Sequence, residues 1–200
     1  MAKEEKNNSV SNMASQICNQ ISSVFSQTIT PLPLSVITDE IVATAAQKGR
    51  VFMHGVGREG LMLKAFCMRL VHLGLPAHCV GDMTTPPICS SDLLISSAGP
   101  GGFPTVDAIC GVARSNGARV LVITAQPDSG SAVKYATKVV ILPAQTMADE
   151  SNSKGGEELL PMGSLYEGAI FVLFEMVVFK LAQVLGQNPD AIRARHTNLE

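Results

Sequence analysis

The stretch Val51–Gly60 constrains the fold most, because an apolar run breaks there into three glycines and then becomes helical. The run predicts a strand, the glycines a tight turn, and the segment from Leu61 a helix. Glycine lets a turn take positive φ and approach a ligand closely, and the first N–H groups of the following helix face outward. The stretch therefore predicts a strand–turn–helix unit whose loop can hold an anion.

A second glycine cluster, Ser97–Gly102, follows another apolar run, Asp92–Ser96. In a parallel sheet the carboxyl ends of both strands lie at the same edge. Ligands of open α/β sheets bind at that edge. The two clusters therefore predict one ligand site between two loops.

Apolar runs and helical periodicities alternate along the remainder of the chain. Because right-handed crossovers lay helices on both faces of a parallel sheet, we expect an α/β fold, a three-layer αβα sandwich with a five-stranded parallel sheet. The expected strands are Arg50–His54, Ala77–Val80, Leu93–Ser97, Val120–Thr124 and Lys138–Leu142, and the expected helices between them are Leu61–Leu73, Thr105–Asn116 and Ser131–Thr137.

The N-terminal part is predicted to be a polar tail, residues 1–12, followed by a helix over Met13–Ile29. Ser35 or Thr38 is the expected cap of the next helix, which ends before Gly49. This divides the chain into a tail and helix, residues 1–34, and a domain, residues 35–200.

The longest apolar run, Leu165–Leu185, approaches the length of a bilayer span, but Glu167, Glu175 and Lys180 interrupt it. We interpret it as a helix buried between the sheet and another subunit, and expect no membrane association. The polar, glycine-containing segment Ala148–Glu158 that precedes it is predicted to be a mobile loop.

Composition narrows the classes of function. The 200 residues carry a formal net charge of −2 with no basic block, which argues against nucleic acid as a partner. The five cysteines form no C-x-x-C pair and the N-terminus lacks an apolar signal segment, so we expect a reduced, cytoplasmic protein.

The glycines Gly55, Gly57 and Gly60 match the spacing of the dinucleotide fingerprint, and Asp82 lies where an acidic residue would hold a ribose. Against dinucleotide binding, the chain leaves no room for a second, catalytic domain, and the second glycine cluster would have no role. The motif keeps a dinucleotide-binding protein as one hypothesis.

Glu167 and the histidines are the candidates for proton transfer. Desolvation at the start of the apolar helix should raise the pKa of Glu167 toward the range of a general base. In the structural alternative, Ser164 and Glu167 form a capping box. His72 and His78 fit structural positions, whereas His196 lies among polar residues and can titrate near neutrality. No pair of histidines has metal-ligand spacing, so we expect no metal.

Four separated motifs resemble those of the 6-phospho-3-hexuloisomerases, which belong to the SIS (sugar isomerase) domain family of phosphosugar-binding proteins. The similarity runs in one order from about Val36 to Glu200. The motifs are Met68–Gly74, Val80–Pro86, Pro161–Glu167 and Ala194–Glu200.

The resemblance implies a flavodoxin-like topology and a homotetramer with sites between subunits. It further implies interconversion of 3-hexulose 6-phosphate and fructose 6-phosphate through an enediol(ate), without metal or organic cofactor. Glu167 matches the expected base, and His196 a residue that moves protons between oxygens, in a neighbouring subunit's site. The implied substrate-binding residues are Gly55, Gly57, Arg58, Glu59, His72, Ala98, Gly99, Gly101 and Gly102.

The chain departs from the family pattern in both glycine loops. Glu59 replaces a serine beside the expected anion site, and Ala98–Phe103 replaces a serine- and threonine-containing loop, with Pro100 lacking an N–H group. Hydrogen bonds to charged groups contribute roughly 1.5–3 kcal/mol each, so losing two weakens phosphate binding by about two to four decades. Three hypotheses follow: a phosphosugar isomerase, an enzyme for another polyol or sugar derivative, and a non-catalytic sugar-phosphate sensor.

Overall fold

A five-stranded, all-parallel sheet forms the centre of the computed structural model, which describes residues 9–149 and 159–199. The strand order β2-β1-β3-β4-β5 is the flavodoxin-like order. The expected fold class is confirmed. The strands are β1 (Val51–His54), β2 (Ala77–Cys79), β3 (Leu93–Ser97), β4 (Arg119–Thr124) and β5 (Lys138–Ile141), and the helices are α1 (Val10–Val24), α2 (Pro33–Ala46), α3 (Gly57–His72), α4 (Pro104–Ser115), α5 (Gly130–Tyr135), α6 (Ser164–Val184) and α7 (Pro189–Ala194).

Strands β1 and β3 are direct neighbours, with His54 opposite Ser96 at their carboxyl ends. The two glycine loops follow these residues. Parallel pairing therefore brings both loops to the same edge of the sheet, as their positions in the sequence predict.

The two faces of the sheet bury separate cores because strand side chains alternate between the faces. In β3, Ile95 contributes to the core beneath α2, α3 and α6, whereas Leu94 contributes to the smaller core beneath α4 and α5. The larger core includes the stacked rings of Phe66 and Phe174, whose centroids lie 4.2 Å apart. Helices α3 and α6 are thus held side by side on one face.

Three predicted helix starts are wrong in ways that have physical causes. Helix α3 begins at Gly57 rather than Leu61, so Arg58 and Glu59 lie in its first turn. Helix α1 begins at Val10, where Ser9 caps it by accepting a bond from Asn12, and ends at Val24. Helix α2 begins at Pro33 without a side-chain cap, and Thr38 bonds within the helix instead.

Helix α6 buries one face and exposes part of the other. Tyr166, Ile170 and Phe174 are almost fully buried, whereas Phe171 and Phe179 are 48% and 68% exposed. Among the residues that the structure describes, no helix combines the length and apolarity that a bilayer span needs. Of the predicted loop Ala148–Glu158, residues 150–158 lie outside the described part of the chain.

A buried carboxylate ties the amino edge of the sheet together. Asp92 is fully buried and accepts hydrogen bonds from the Arg50 guanidinium and from the N–H groups of Arg50 and Cys89. Burial by itself raises the pKa of Asp92, but these donors outweigh it and hold that pKa below its usual value. The ionised carboxylate therefore stabilises the fold.

We expect Asp92→Asn to lower the free energy of unfolding at neutral pH by at least about 1–3 kcal/mol, because it leaves buried donors facing an amide. Since the pKa is depressed in the fold, this contribution is present above the unfolded pKa of Asp92 and is lost as pH falls through the folded one. Urea unfolding at neutral and acidic pH measures the difference. The exposed Asp128 provides the control, Asp128→Asn, and equal stability of the two variants at neutral pH would contradict the assignment.

Candidate active site between the glycine loops

The first glycine loop packs tightly on the start of α3. A Cβ atom at Gly60 would lie 2.5 Å from the carbonyl oxygen of Gly55, and Gly57 has a φ of +57°. A side chain at Gly60 would push the loop away from the helix. Gly60 is therefore explained by close packing between the turn and α3, and Gly57 by its left-handed backbone conformation.

Arg58 links the first turn of α3 to the first turn of α6. Its Nε lies 3.0 Å from Oε2 of Glu167, and its Nη1 donates to Oγ of Ser164 at 2.9 Å. Its other terminal nitrogen donates to the carbonyl oxygen of Met162. The guanidinium thus orients the carboxylate and fixes the chain just before α6.

Glu167 does not form the capping box of the structural alternative. Ser164 is the first helical residue, its N–H donates to Pro161, and the N-cap is Gly163 in the left-handed conformation, with φ +78°. Only glycine adopts that conformation readily, so the turn shifts the helix start by one residue. The side chain of Glu167 is consequently free to face Arg58.

The environment of Glu167 suits a base. Partial burial raises its pKa, the Arg58 charge lowers it, and the nearby Glu59 raises it. The net direction is upward, which makes the carboxylate a stronger proton acceptor than an exposed glutamate.

Glu59 points inward rather than into solvent, with only 7% of its surface exposed. Its Oε2 accepts a bond from Ser97 Oγ at 2.5 Å and one from the N–H of Gly99 at 3.0 Å. Desolvation raises the pKa of Glu59 against the lowering effect of these two bonds. The residue therefore joins the two glycine loops from within.

Most N–H groups of the second glycine loop donate hydrogen bonds within the protein. Ala98 donates to Ile123, Gly99 to Glu59 and Gly101 to Ala98. Pro100 has no N–H, and Ala98 is completely buried. Among the described hydrogen bonds, none uses the N–H of Gly102 or Phe103, which lead into α4.

Tyr166 and Ser97 belong to the site, although neither was predicted as a site residue. A Cβ atom at Gly99 would lie 2.8 Å from the Tyr166 ring, and the Tyr166 hydroxyl lies 3.1 Å from Ser97 Oγ. Burial raises the pKa of Tyr166, so its hydroxyl remains protonated. The only signals in the sequence were the position of Ser97 at a strand end and that of Tyr166 beside Glu167.

A small cavity of about 20 Å³ lies between these elements. Both Glu59 and Glu167 line it, together with the walls formed by Pro100, Thr146, Met147, Met162, Gly163 and Tyr166. Ligand pockets commonly measure about 300–1,000 Å³, so this cavity admits one small group of a ligand and not a whole sugar. A second cavity of about 360 Å³ shares Pro100 and extends along Gly101–Pro104 to Ser129, Gly130 and Lys134.

His72 and His196 lie together at the carboxyl end of α3. Their rings stack with centroids 5.2 Å apart, and Arg195 donates to the carbonyl oxygen of His72 at 3.0 Å. Fourteen residues of α3 separate His72 from Arg58, a rise of about 21 Å. The structure therefore brings Glu167 together with the glycine-loop residues and leaves both histidines outside that group.

Known proteins resemble this chain over most of its length. No protein-family model matches the chain. A 3-hexulose-6-phosphate isomerase from Mycobacterium gastri is 37% identical over 182 residues, which cover 84% of this chain and 89% of that protein. One from Bacillus subtilis is 33% identical over 162 residues, 81% of this chain and 86% of that protein.

A solved structure is similar over almost the whole chain. It is a hypothetical protein from Methanococcus jannaschii whose crystal structure infers the function of a 3-hexulose-6-phosphate isomerase. It is 26% identical, covers 92% of this chain and 97% of its own, and superposes with a TM-score of 0.74. The motifs, the topology and these relatives agree, and the chain belongs to the 3-hexulose-6-phosphate isomerase family of sugar isomerase (SIS) domain proteins.

Proposed function

We propose that this protein interconverts 3-hexulose 6-phosphate and fructose 6-phosphate through an enediol(ate), with Glu167 as the base. The observation that carries the proposal is the Arg58–Glu167 pair at the cavity between the two glycine loops. A cation beside the carboxylate keeps it ionised and aimed. The relatives named above are isomerases of this type.

The reaction moves the carbonyl group from C3 to C2, which requires removal of a proton from C2 and its return to C3. Glu167 accepts the proton as an ionised carboxylate and then gives it back as a carboxylic acid. The raised pKa favours the first step, because a more basic carboxylate accepts the carbon-bound proton more readily.

The second cavity is the proposed binding site of the phosphate group. The N–H groups of Gly102 and Phe103 precede α4, whose N-terminus attracts anions. Lys134 lines the same cavity, and its Nζ lies 2.6 Å from Oδ2 of Asp107. This arrangement would replace the serine and threonine hydroxyls that the family loop carries and this chain lacks.

We expect Glu167→Gln to lower turnover by about 10²- to 10⁴-fold, because an amide cannot accept the carbon-bound proton. Proton NMR of fructose 6-phosphate in D₂O measures the loss of the C3 proton and the formation of the 3-hexulose isomer. Glu175→Gln is the control, since Glu175 lies two turns later on α6 and pairs with Arg69. Unchanged exchange in the Glu167 variant would refute the assigned base.

We expect Arg58→Gln to move the acidic limb of the kcat/KM profile to higher pH. The base must be ionised, so activity falls as pH drops through the pKa of Glu167, and Arg58 lowers that pKa. Arg69→Gln, which removes a guanidinium from the pair with Glu175, should leave the limb in place. An unmoved limb in the Arg58 variant would mean that the limb reports another group.

His196 is proposed to contact substrate in the site of a neighbouring subunit, within a homotetramer. The distance along α3 supports this, because His196 stacks on His72 at the far end of the helix from Glu167. The exposed apolar residues Phe171 and Phe179 on α6 offer a surface for such assembly.

Mixing Glu167→Gln and His196→Asn subunits, each with lowered activity, is expected to raise turnover above that of either variant alone. In a mixed assembly, some sites receive a wild-type Glu167 from one chain and a wild-type His196 from another. Steady-state turnover after subunit exchange is the measurement, with each variant exchanged against itself as the control. A mixture no more active than its components would show that the two residues do not act across an interface.

A further inference from the structure

Two carboxylates, not one, line the small cavity. Glu167 enters it from the first turn of α6, and Glu59 enters it from the first turn of α3. Because the cavity is only about 20 Å³, a group bound there lies near both side chains. The two residues are also close enough for Glu59 to raise the pKa of Glu167.

The two carboxylates differ in the charge of their hydrogen-bond partners. Glu167 is paired with the Arg58 guanidinium, and 16% of its side chain is exposed. Glu59 is more deeply buried and receives bonds only from neutral donors, Ser97 Oγ and the Gly99 N–H, among the described contacts. A cation favours the ionised form, whereas burial among neutral groups favours the protonated form.

The hydrogen bonds of Glu59 leave a place for a proton. Both go to Oε2, and no hydrogen bond between described residues involves Oε1. Protonation at Oε1 therefore breaks neither bond. The protonated side chain keeps its position and has one O–H donor for a ligand in the cavity.

We propose that Glu59 is a second acid–base residue of the site, which carries a proton between the C2 and C3 oxygens while Glu167 carries the carbon-bound proton. This role rests on the proposed isomerase function. It gives two carboxyl groups with different surroundings the separate tasks of acid and base. It also gives a purpose to the replacement of the family's serine at this position.

The proton transfers balance without any further reactant. Ionised Glu167 removes the proton from C2, the C2–C3 double bond forms, and the C3 carbonyl oxygen receives the proton of Glu59. Ionised Glu59 then takes the proton from the C2 hydroxyl, the C2 carbonyl forms, and Glu167 returns its proton to C3. Both residues end in their starting states, and C2 is oxidised as C3 is reduced.

The titratable and charged groups around Glu59 come from three directions. Helix α6 contributes Glu167 and Tyr166, and α3 contributes the adjacent Arg58. The segment after β5 contributes Thr146 to the cavity wall, where it bonds Asp149. Since Glu59 and Glu167 interact, their titrations are coupled. The acidic and alkaline limbs of the activity profile therefore report apparent pKa values of the pair.

The test is the pH profile of kcat in wild type and Glu59→Gln. An acid must be protonated, so wild-type activity should fall at alkaline pH as Glu59 ionises. The glutamine variant preserves shape but cannot transfer a proton, so kcat should fall by about 10²- to 10⁴-fold with little change in KM, and the alkaline limb should disappear. A purely structural role would leave the limb in place.

Ser97→Ala is the matched control, because the bond from Ser97 lowers the pKa of Glu59. Its removal should shift the alkaline limb to higher pH with the limb retained. His196→Asn should retain the limb as well. If His196→Asn abolishes it instead, the oxygen-to-oxygen transfer belongs to the histidine and the proposal is wrong.

A measurement independent of turnover decides the protonation state. Infrared spectra of glutamate-labelled protein at neutral pH should show one more protonated carboxyl in wild type than in Glu59→Gln. An ionised Glu59 would overturn the proposal even if the enzyme is active. An inactive wild type would instead overturn the isomerase function, and with it this role, so the two failures are distinguishable.

Discussion

The parallel pairing of β1 with β3 is the constraint on which the site depends. Because His54 and Ser96 lie opposite each other, the chain leaves both strands at one edge, and each strand is followed by a glycine loop. A shift of register or a reversal of either strand would separate Glu59 from Ser97 and Gly99. Every contact within the site is therefore secondary to this pairing.

Close packing at glycine positions then connects the strand ends to the helices. Gly60 allows α3 to start directly against Gly55, and Gly99 accepts the Tyr166 ring from α6. These contacts set the distance between the first turns of α3 and α6, which Arg58 spans to reach Glu167. The first loop thus shapes the site by packing as well as by offering N–H groups.

The sequence allowed the fold class, the strand order implied by the resemblance and the shared edge to be predicted, because strand patterns and glycine turns are local signals. The start of α3 was misplaced by four residues, since Gly57–Gly60 looks like a loop until the packing of Gly60 on Gly55 is known. The capping box at Ser164 does not form because Met162 and Gly163 adopt positive φ. No local sequence pattern indicated this conformation.

The site residues were predicted less completely than the fold. Glu167 and Arg58 were named, but their pairing crosses more than a hundred positions of sequence and needs the tertiary structure. Glu59 was expected to place a charge beside the anion loop, whereas its side chain turns inward because Ser97, Gly99 and Tyr166 provide a polar pocket there. Such a pocket depends on three elements at once and has no linear signature.

Helix α3 has a consequence of its own, because one element presents Arg58 at one end and supports His72 and His196 at the other. In the proposed assembly, the two ends serve the sites of two different subunits. A displacement of α3 along its axis would then alter both sites together, because both ends of the helix would shift by the same distance. Phe66, near the middle of α3, stacks on Phe174 of α6. This contact would resist such a displacement and so preserve the geometry of both sites.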